Sequence, residues 1–361
     1  MKPLWWEQVK AVARLEIKKT FFARRGVWIY LVALAPVLLF GAGAAIHAHQ
    51  RSRNAGIARQ NERRLSYQDL LAVKTGMTKE EIVSALGQPP LDQHWTEMQP
   101  DRPVAHEHLQ YSDGQNQLYI NLNDGKVASV DVQSEFNASE STVVYASIFQ
   151  FFFLRLAVFF GCLGIFMNLF RGEVLDRSLH FYFLSPIRRE VLMAGKFMAG
   201  LLATCTIFVT SEVLQIIAFL AQFPPNARDV YLYQHHGLEH AAIYLGVTIL
   251  GCIGYGAFFL VAGMFFRNPI LPAAGILIWE GLNPFLPAVL KQISVIYYLK
   301  SLCPVDIPAA PGTSPFFALL IWNADPISAP VAIIGLLMVS VFALYISSIQ
   351  VRRMEINYTS D

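Results

Sequence analysis

The sequence predicts a polytopic α-helical membrane protein with six transmembrane helices, an interfacial amino-terminal helix and an inserted small α+β extracytoplasmic domain. Hydrophobic residues make up 54% of the chain and charged residues only 15%, whereas soluble domains contain about 25% charged residues. Several apolar runs reach the length of about 20 residues that a helix needs to cross a bilayer. One long polar block, residues 47–142, separates the first run from the others.

The chain begins with a basic, aromatic segment, residues 1–26, which we interpret as a cytoplasmic helix lying in the membrane interface. Lys10, Arg14 and Lys18 lie between apolar residues that recur at helical spacing. These apolar residues are Trp5, Trp6, Val9, Val12, Ala13, Ile17 and Phe21. A solvated leader helix is the alternative. The segment lacks a small-residue cleavage site, so we expect the span that follows it to be retained.

Six apolar runs are candidate spans. They are TM1 (27–46), TM2 (143–170), TM3 (191–223), TM4 (241–266), TM5 (270–290) and TM6 (326–349). Lys and Arg are concentrated in residues 1–26, in residues 171–196 and in the tail 350–361. Short loops rich in these residues face the cytoplasm, so both termini are predicted to be cytoplasmic. Five arginines after TM1 oppose this orientation, but they open a loop of about ninety residues, to which the rule does not apply.

The polar insert, 47–142, shows local signals of a small α+β domain. Thr78 to Glu81 form a capping box that opens a short helix, which Gly87 ends. Asp113-Gly114 and Asp124-Gly125 separate alternating runs and predict hairpin turns in a three- or four-stranded antiparallel sheet. The predicted core consists of Leu70, Leu71, Met77, Ile82, Leu86, Trp95, Leu118, Ile120, Val127 and Val130.

Residues Thr75 to Pro89, with the later Asp124 to Val127 hairpin, resemble SmpA/OmlA-type (BamE-like) envelope domains. The resemblance covers roughly residues 65–135. It implies an outer-facing interaction module and no catalysis.

Motifs for catalysis and nucleic-acid binding are not found in the sequence. Gly195-Lys196 lacks the glycine-rich loop and the following Ser/Thr of a Walker A motif, and there is no nucleophile elbow or His-Glu-x-x-His pair. The net charge of +2 gives no indication of nucleic-acid binding, and the four cysteines show no metal-type spacing. His106 with His108, and His235-His236 with Glu239 and His240, could be metal ligands, but neither set has four ligands. We favour structural or interfacial histidines and predict no metal site.

Two carboxylates, Glu212 and Glu280, fall inside apolar stretches, where a charge needs a partner or a wet cavity. Arg155 and Lys291 are conceivable partners. Glu280 and Asn283 belong to a stretch that Gly and Pro interrupt, and such breaks occur where backbone packs in protein or lines a cavity. We therefore predict that Glu280 and Asn283 line a translocation path or a dimer interface, with a structural acid as the alternative for Glu280. Glu212 is interpreted as structural.

Residues 291–325, between TM5 and TM6, contain four prolines and two apolar runs that are too short to span. These are Pro304, Pro308, Pro311 and Pro315, with the runs 293–299 and 316–322. We predict short re-entrant helices on the extracytoplasmic side.

The charge-dense segment between TM2 and TM3, residues 171–190, carries the most specific pattern. Its motifs are Arg171-Gly172-Glu173, Leu184-Ser185-Pro186 and Arg188-Arg189-Glu190, followed by Gly195-Lys196. With the interfacial helix and six spans, they resemble the membrane subunit of type-2 ABC transporters, the ABC-2 permeases. Simple positive-inside anchoring is the alternative, but it does not require the acids among these cations.

The resemblance implies that the segment 171–190 couples this chain to a separate ABC ATPase subunit. Its polar contacts would come from Glu173, Asp176, Arg177, Arg188 and Arg189. A second permease subunit, identical or different, would complete the path. ATP and Mg would bind the partner ATPase, so this chain has no cofactor and is a transport subunit, not an enzyme.

The implied function is export of a lipid-like, peptide or drug-like amphipathic substrate across a bacterial inner membrane. The insert departs from the family pattern and could be a lid or a dock for a periplasmic partner. The alternative function is a membrane-anchored scaffold in envelope assembly that acts through the insert. Membrane lipid is a further expected partner, and nucleic acid is not.

Overall fold

The computed structural model describes residues 4–21, 26–98, 103–134, 137–169, 188–266, 268–307 and 327–353. The structure is 74% helical and contains a small four-stranded antiparallel sheet. It divides into two compact units. The first, the membrane unit, comprises residues 1–40, 142–218 and 226–361, and the second, the insert unit, comprises residues 41–141 and 219–225.

The described residues contain the following α-helices, in chain order. They are α1 (Leu4–Phe21), α2 (Val27–Gln60), α3 (Tyr67–Leu71), α4 (Lys79–Leu86), α5 (Ala138–Ser147), α6 (Phe159–Phe166), α7 (Arg189–Ala221), α8 (Pro225–Gln234), α9 (Gly237–Phe265), α10 (Ile270–Gly281), α11 (Ala288–Lys291), α12 (Val295–Leu302) and α13 (Ala329–Arg353). A π-helix, Ile148–Val158, joins α5 to α6, and a 3-10 helix, Asn283–Phe285, follows α10.

Within the described residues, five helices are long and apolar enough to cross a membrane. They are α2, the continuous helix Ala138–Phe166, α7, α9 and α13. The prediction of a multi-pass helical membrane protein is confirmed at this level. The first of these helices is longer than the predicted span, because α2 continues through polar residues to Gln60.

The region predicted as TM5, residues 270–290, is not one helix. Helix α10 ends at Gly281 after 12 residues, and the 3-10 helix and the four-residue α11 follow it. The break lies where the sequence places Gly281, Pro284 and Pro287, residues that disfavour a continuing helix. Twelve residues cover about 18 Å, less than the hydrocarbon thickness of about 30 Å.

Helix α9 lies at the centre of the membrane unit and packs against α6, α12 and α13. Small residues let these helices approach closely. A Cβ atom on Gly256 would lie 2.6 Å from the ring of Phe166, and one on Gly254 would lie 2.8 Å from Val295. Close packing through glycine is characteristic of helix association in membranes.

The sheet of the insert unit is a meander of β1 (Leu91–Met98), β2 (Pro103–Ser112), β3 (Asn116–Asn123) and β4 (Lys126–Ser134), each antiparallel to the next. The prediction of an antiparallel sheet is confirmed, and the sheet has four strands. The turn between β3 and β4 has φ of 50° at Asp124 and 76° at Gly125. Two successive positive φ angles are the geometry of the predicted Asp-Gly hairpin turn.

Helix α4 begins as predicted. Thr78 Oγ1 accepts a hydrogen bond from Glu81 N, and Thr78 N donates to Glu81 Oε2 over 2.9 Å. Gly87 ends the helix with a φ of 87°. Helix α3 begins with a second capping box, formed by Ser66 and Asp69, which the sequence analysis did not identify.

The core of the insert unit is mostly the predicted one. Its buried residues are Leu65, Leu70, Val73, Ile82, Leu86, Leu109, Tyr111, Leu118, Ile120, Leu122 and Val127, with Met77, Val130 and Val132 partly buried against them. The prediction that Leu71 and Trp95 belong to the core is wrong, since each side chain is about half exposed. Leu71 follows the inward-facing Leu70 around a short helix, and Trp95 pairs with His106 on the sheet face opposite the core.

Candidate functional site

A buried ion pair connects helices α1 and α7 in the membrane unit. Lys196 Nζ lies 2.8 Å from Glu16 Oε1 and donates a second hydrogen bond to the carbonyl oxygen of Leu169 over 2.9 Å. The Lys196 and Glu16 side chains are 0% and 5% exposed. Two opposite charges that leave water together need such close geometry to offset the loss of hydration.

Helix α1 fits against α7 through small and branched side chains. Val9, Val12 and Ala13 are buried, and a Cβ atom on Gly195 would lie 2.7 Å from Val12. Trp5 is half exposed, on a different part of the helix surface. The amphipathic pattern predicted for this helix is therefore present. Its location in the membrane interface remains a prediction.

A second set of polar contacts connects the start of α7 to the end of α13. Arg352 Nε forms an ion pair with Glu190, and Arg189 Nη1 donates to the carbonyl oxygen of Arg352 over 2.9 Å. Arg188 is exposed, and its carbonyl oxygen accepts the amides of Val191 and Leu192 as the helix starts. Of the predicted coupling residues, Arg189 thus contacts another helix of this chain through its side chain. The structure gives no such contact of the Arg188 side chain with a described residue.

The other predicted coupling residues, Glu173, Asp176 and Arg177, lie outside the described residues, as do residues 308–326 of the predicted re-entrant segment. The described residues on either side of the segment 170–187 are Leu169 and Arg188. The two polar contacts above hold Leu169 and the first turn of α7 to helices α1 and α13.

Glu280 is buried in the membrane unit and 3% exposed. Its Oε2 accepts a hydrogen bond from Tyr255 Oη over 2.9 Å, and its Oε1 accepts the backbone N–H of Ile296 over 3.2 Å. Ile296 lies in the first turn of α12, where a carboxylate is favoured by free N–H groups and by the helix dipole. Glu280 therefore joins α9, α10 and α12 at the point where α10 ends.

Asn283 is 8% exposed and donates from Nδ2 to the carbonyl oxygen of Lys291 over 3.2 Å. This bond holds the irregular chain between α10 and α12. The conceivable partner Lys291 thus contacts Asn283 through its backbone, and Arg155 acts on Glu280 through charge alone. Whether Glu280 and Asn283 line a path or a dimer interface stays a prediction.

Glu212 lies on α7 and is fully buried. Its Oε1 accepts a hydrogen bond from Tyr145 Oη over 2.6 Å. The ring of Tyr145 packs edge-on against Tyr244 of α9 at 5.3 Å between centroids. Glu212 thus takes a neutral donor from a neighbouring helix through one oxygen, while its Oε2 is buried without a hydrogen-bond partner among the described residues. Its interpretation as a structural acid stays a prediction.

The π-helix within the second membrane helix is a feature that the sequence analysis did not predict. It runs for 11 residues, whereas π-helical geometry mostly appears as single turns and often at functional sites. It carries Gln150, which donates to the carbonyl oxygen of Val305 over 3.2 Å, and Arg155. The only signal in the sequence was an Arg and a Gln inside an apolar run.

On the helix-covered side of the insert sheet, Lys79 bridges two acids. Its Nζ lies 2.7 Å from Glu107 Oε2 and 2.9 Å from Asp92 Oδ2. These hydrogen bonds, first that of Glu107 and then that of Asp92, raise the pKa of Lys79 above its ordinary value. Asp92 and Glu107, with His94, are also close enough together to hold a metal ion, but a cation already bridges the two carboxylates.

Three of the histidines singled out in the sequence contact neighbouring side chains, whereas His240 Nδ1 is buried without a hydrogen-bond partner among the described residues. His106 and His108 share the outer sheet face, and their Nδ1 atoms lie 2.8 Å and 2.7 Å from the amide oxygens of Asn123 and Asn121. His236 Nδ1 lies 2.9 Å from Glu239 Oε2. The expectation that these histidines bind no metal ion stays a prediction.

The four cysteines are free thiols, and Cys162 and Cys252 are buried.

Together these observations define a multi-pass helical membrane protein that carries a small domain with an antiparallel sheet. No model of a known protein family matches the chain. A comparison with curated proteins likewise finds no match.

Proposed function

We propose that this chain is the membrane-spanning permease subunit of an ATP-driven transporter of the ABC-2 type, energised by a separate ATPase subunit. The proposal includes a sixth membrane crossing in which α10 and the short elements after it replace one full-length helix. Both termini and the segment 171–190 face the cytoplasm of a bacterial inner membrane, and the insert faces outward. A second permease subunit completes the transporter.

The main support for the proposal is that the described residues on both sides of the charge-dense segment are bound to other helices. Leu169, just before it, is bound through Lys196 to α1. The first turn of α7, just after it, is bound through Arg189 and Glu190 to α13. A segment held at both ends can pass an applied force to three helices at once, which is what a coupling element requires.

The residues divide into two roles in this mechanism. Glu173, Asp176, Arg177 and Arg188 would contact the ATPase, and Arg189 would act mainly through its bond to Arg352. When ATP draws two ATPase subunits together, the segment tilts and the helices rock to open an outward path. Energy enters by contact, so this chain performs no covalent chemistry.

Copurification from membranes tests the proposal. The intact chain should bring down an ABC ATPase, and Arg188→Glu or Glu173→Lys should abolish the association. Lys10→Glu, an exposed change on α1, serves as the matched control and should leave it intact. Normal copurification of the ATPase with both reversed-charge variants would contradict the role of the segment.

The scaffold function is supported by one observation, since the insert unit has a hydrophobic core of its own. In that case the charge reversals would be harmless, and replacing residues 61–137 by a short linker would abolish function. The permease proposal predicts that the ATPase still copurifies with the chain that lacks the insert.

A further inference from the structure

Arg155 lies in the π-helix near the middle of the second membrane helix. Its side chain is partly buried, and its Nε atom is fully buried without a hydrogen-bond partner. Among the residues that the structure describes, none accepts a hydrogen bond from the guanidinium group or forms an ion pair with it. A guanidinium group at membrane depth without an acceptor is strongly unfavourable, so Arg155 requires an anionic or strongly accepting ligand.

The acid that acts on Arg155 through charge does not supply this acceptor. Each oxygen of Glu280 already accepts a hydrogen bond, from Tyr255 Oη and from Ile296 N. These bonds hold the carboxylate at the start of α12. Its charge offsets part of the charge on Arg155, but no described residue accepts a hydrogen bond from the guanidinium.

A second cation lies on the same side of the π-helix. Lys300 Nζ of α12 is 5.7 Å from the centre of the Phe151 ring, and Phe151 precedes Arg155 by four residues, about one helical turn. Lys300 and Arg155 are close enough to repel each other through charge.

Two neutral donors near Glu280 are also unsatisfied within the described part of the chain. Trp279 Nε1 precedes Glu280 in α10, and Ser294 Oγ precedes α12. Ser294 is 2% exposed. Buried donors without partners usually indicate an absent ligand, ion or water.

We propose that Arg155, with Lys300 beside it, binds the anionic headgroup of an amphiphile within the membrane unit. The guanidinium fork matches a phosphate or carboxylate bidentately, and the apolar helices around it suit acyl chains. The inference rests on the proposed transport function where it names anionic amphiphiles as the class of transported substrate. Binding itself requires no ATPase.

Native mass spectrometry of the full chain in a neutral detergent tests the inference. Short-chain phosphatidylglycerol should bind at least about tenfold more tightly than phosphatidylcholine of the same chain length, since one charged hydrogen-bonding pair contributes about 1.5–3 kcal/mol. Glycerol phosphate, which lacks chains, distinguishes a free phosphate site from an amphiphile site and should bind weakly. Arg155→Gln should remove the preference for the anionic lipid, and Arg155→Lys should retain part of it.

Arg353→Gln, at the exposed end of α13, is the control for general attraction of anionic lipid and should keep the preference. Equal binding of both lipids to the unmodified chain would overturn the inference without any variant, and it would leave the permease proposal intact. An Arg155→Gln variant that keeps the full preference would also overturn it. Failure of an ATPase to copurify would instead contradict the permease proposal and leave this binding result standing.

Discussion

At the residue scale, the polar side chains inside the membrane unit differ in how they are neutralised. Lys196 has a charged partner and a carbonyl, Glu280 has two donors including a helix N-terminus, and Glu212 has a tyrosine hydroxyl. Arg155 has no acceptor among the described residues. A charge at membrane depth needs compensation, and this contrast is why Arg155, and not one of the acids, is the candidate ligand site.

The buried pair predicts a large cost when only one partner is removed. Lys196→Met removes the cation of this buried pair, and we expect the unfolding free energy to fall by about 3–5 kcal/mol. Lys10→Met removes an exposed lysine that lies 3.8 Å from Glu7 and should cost less than about 1 kcal/mol. Denaturant unfolding in detergent measures both. The prediction is wrong if the two variants lose similar stability.

Lys79 predicts a pH dependence of the insert unit. Its folded pKa is raised by Glu107 and Asp92, so its stabilising contribution is complete below the unfolded pKa of about 10.4 and is lost as the pH rises through the folded pKa. Hydrogen exchange of α4 should therefore accelerate beyond the normal chemical effect as the pH rises above the unfolded pKa of about 10.4. In Lys79→Met this extra acceleration should be absent, and its persistence would contradict the assignment.

At the element scale, local sequence patterns decided where short elements begin and end. The capping box at Thr78, the glycine after α4 and the Asp124-Gly125 turn lie where the sequence predicted them. Each depends on residues within a few positions of one another, so no distant contact is needed to predict it. Trp95 was misplaced because the face on which a strand residue lies depends on its register with β2, a non-local property.

Two glycines in the insert unit give a matched test of backbone conformation. A Cβ atom on Gly125 or on Gly56 would meet no atom within 4 Å, but only Gly125 has a positive φ. Gly125→Ala should therefore destabilise the insert unit by about 1–2 kcal/mol. Gly56→Ala, inside α2, should stabilise it by about 0.5–1 kcal/mol. The two effects are measured by hydrogen exchange, in β3 and β4 for Gly125→Ala and in α2 for Gly56→Ala. Stability changes of the same sign in both variants would refute the conformational explanation.

At the scale of the whole molecule, apolar side chains remain on the surface of the membrane unit. Leu31 and Leu38 of α2 and Val341 and Phe342 of α13 are all more than 60% exposed. Exposed apolar area of this extent is unfavourable in water, so lipid or another membrane protein must cover it. The central α9, by contrast, is buried on most sides.

The proposed orientation predicts opposite accessibility for two loops. In intact cells, Ala128→Cys in the insert should react with a membrane-impermeant thiol reagent once that reagent reaches the periplasm. Ser178→Cys, in the segment 171–190, should react only after the inner membrane is permeabilised. Labelling of the unmodified chain, which has four cysteines of its own, is the control. Labelling of Ser178→Cys in cells with an intact inner membrane would reverse the orientation and remove the basis for coupling to a cytoplasmic ATPase.

The membrane class, the position of the insert and the local signals of its helices and hairpins follow from the amino-acid sequence, because composition, run length and capping act over short stretches. Tertiary structure alone decided that Lys196 meets Glu16, 180 positions away along the chain, that Glu280 caps α12 and that Arg155 has no described acceptor. These facts depend on which helices pack together. A charged residue in an apolar run shows that a partner is needed, and only the folded chain shows which residue fills that role.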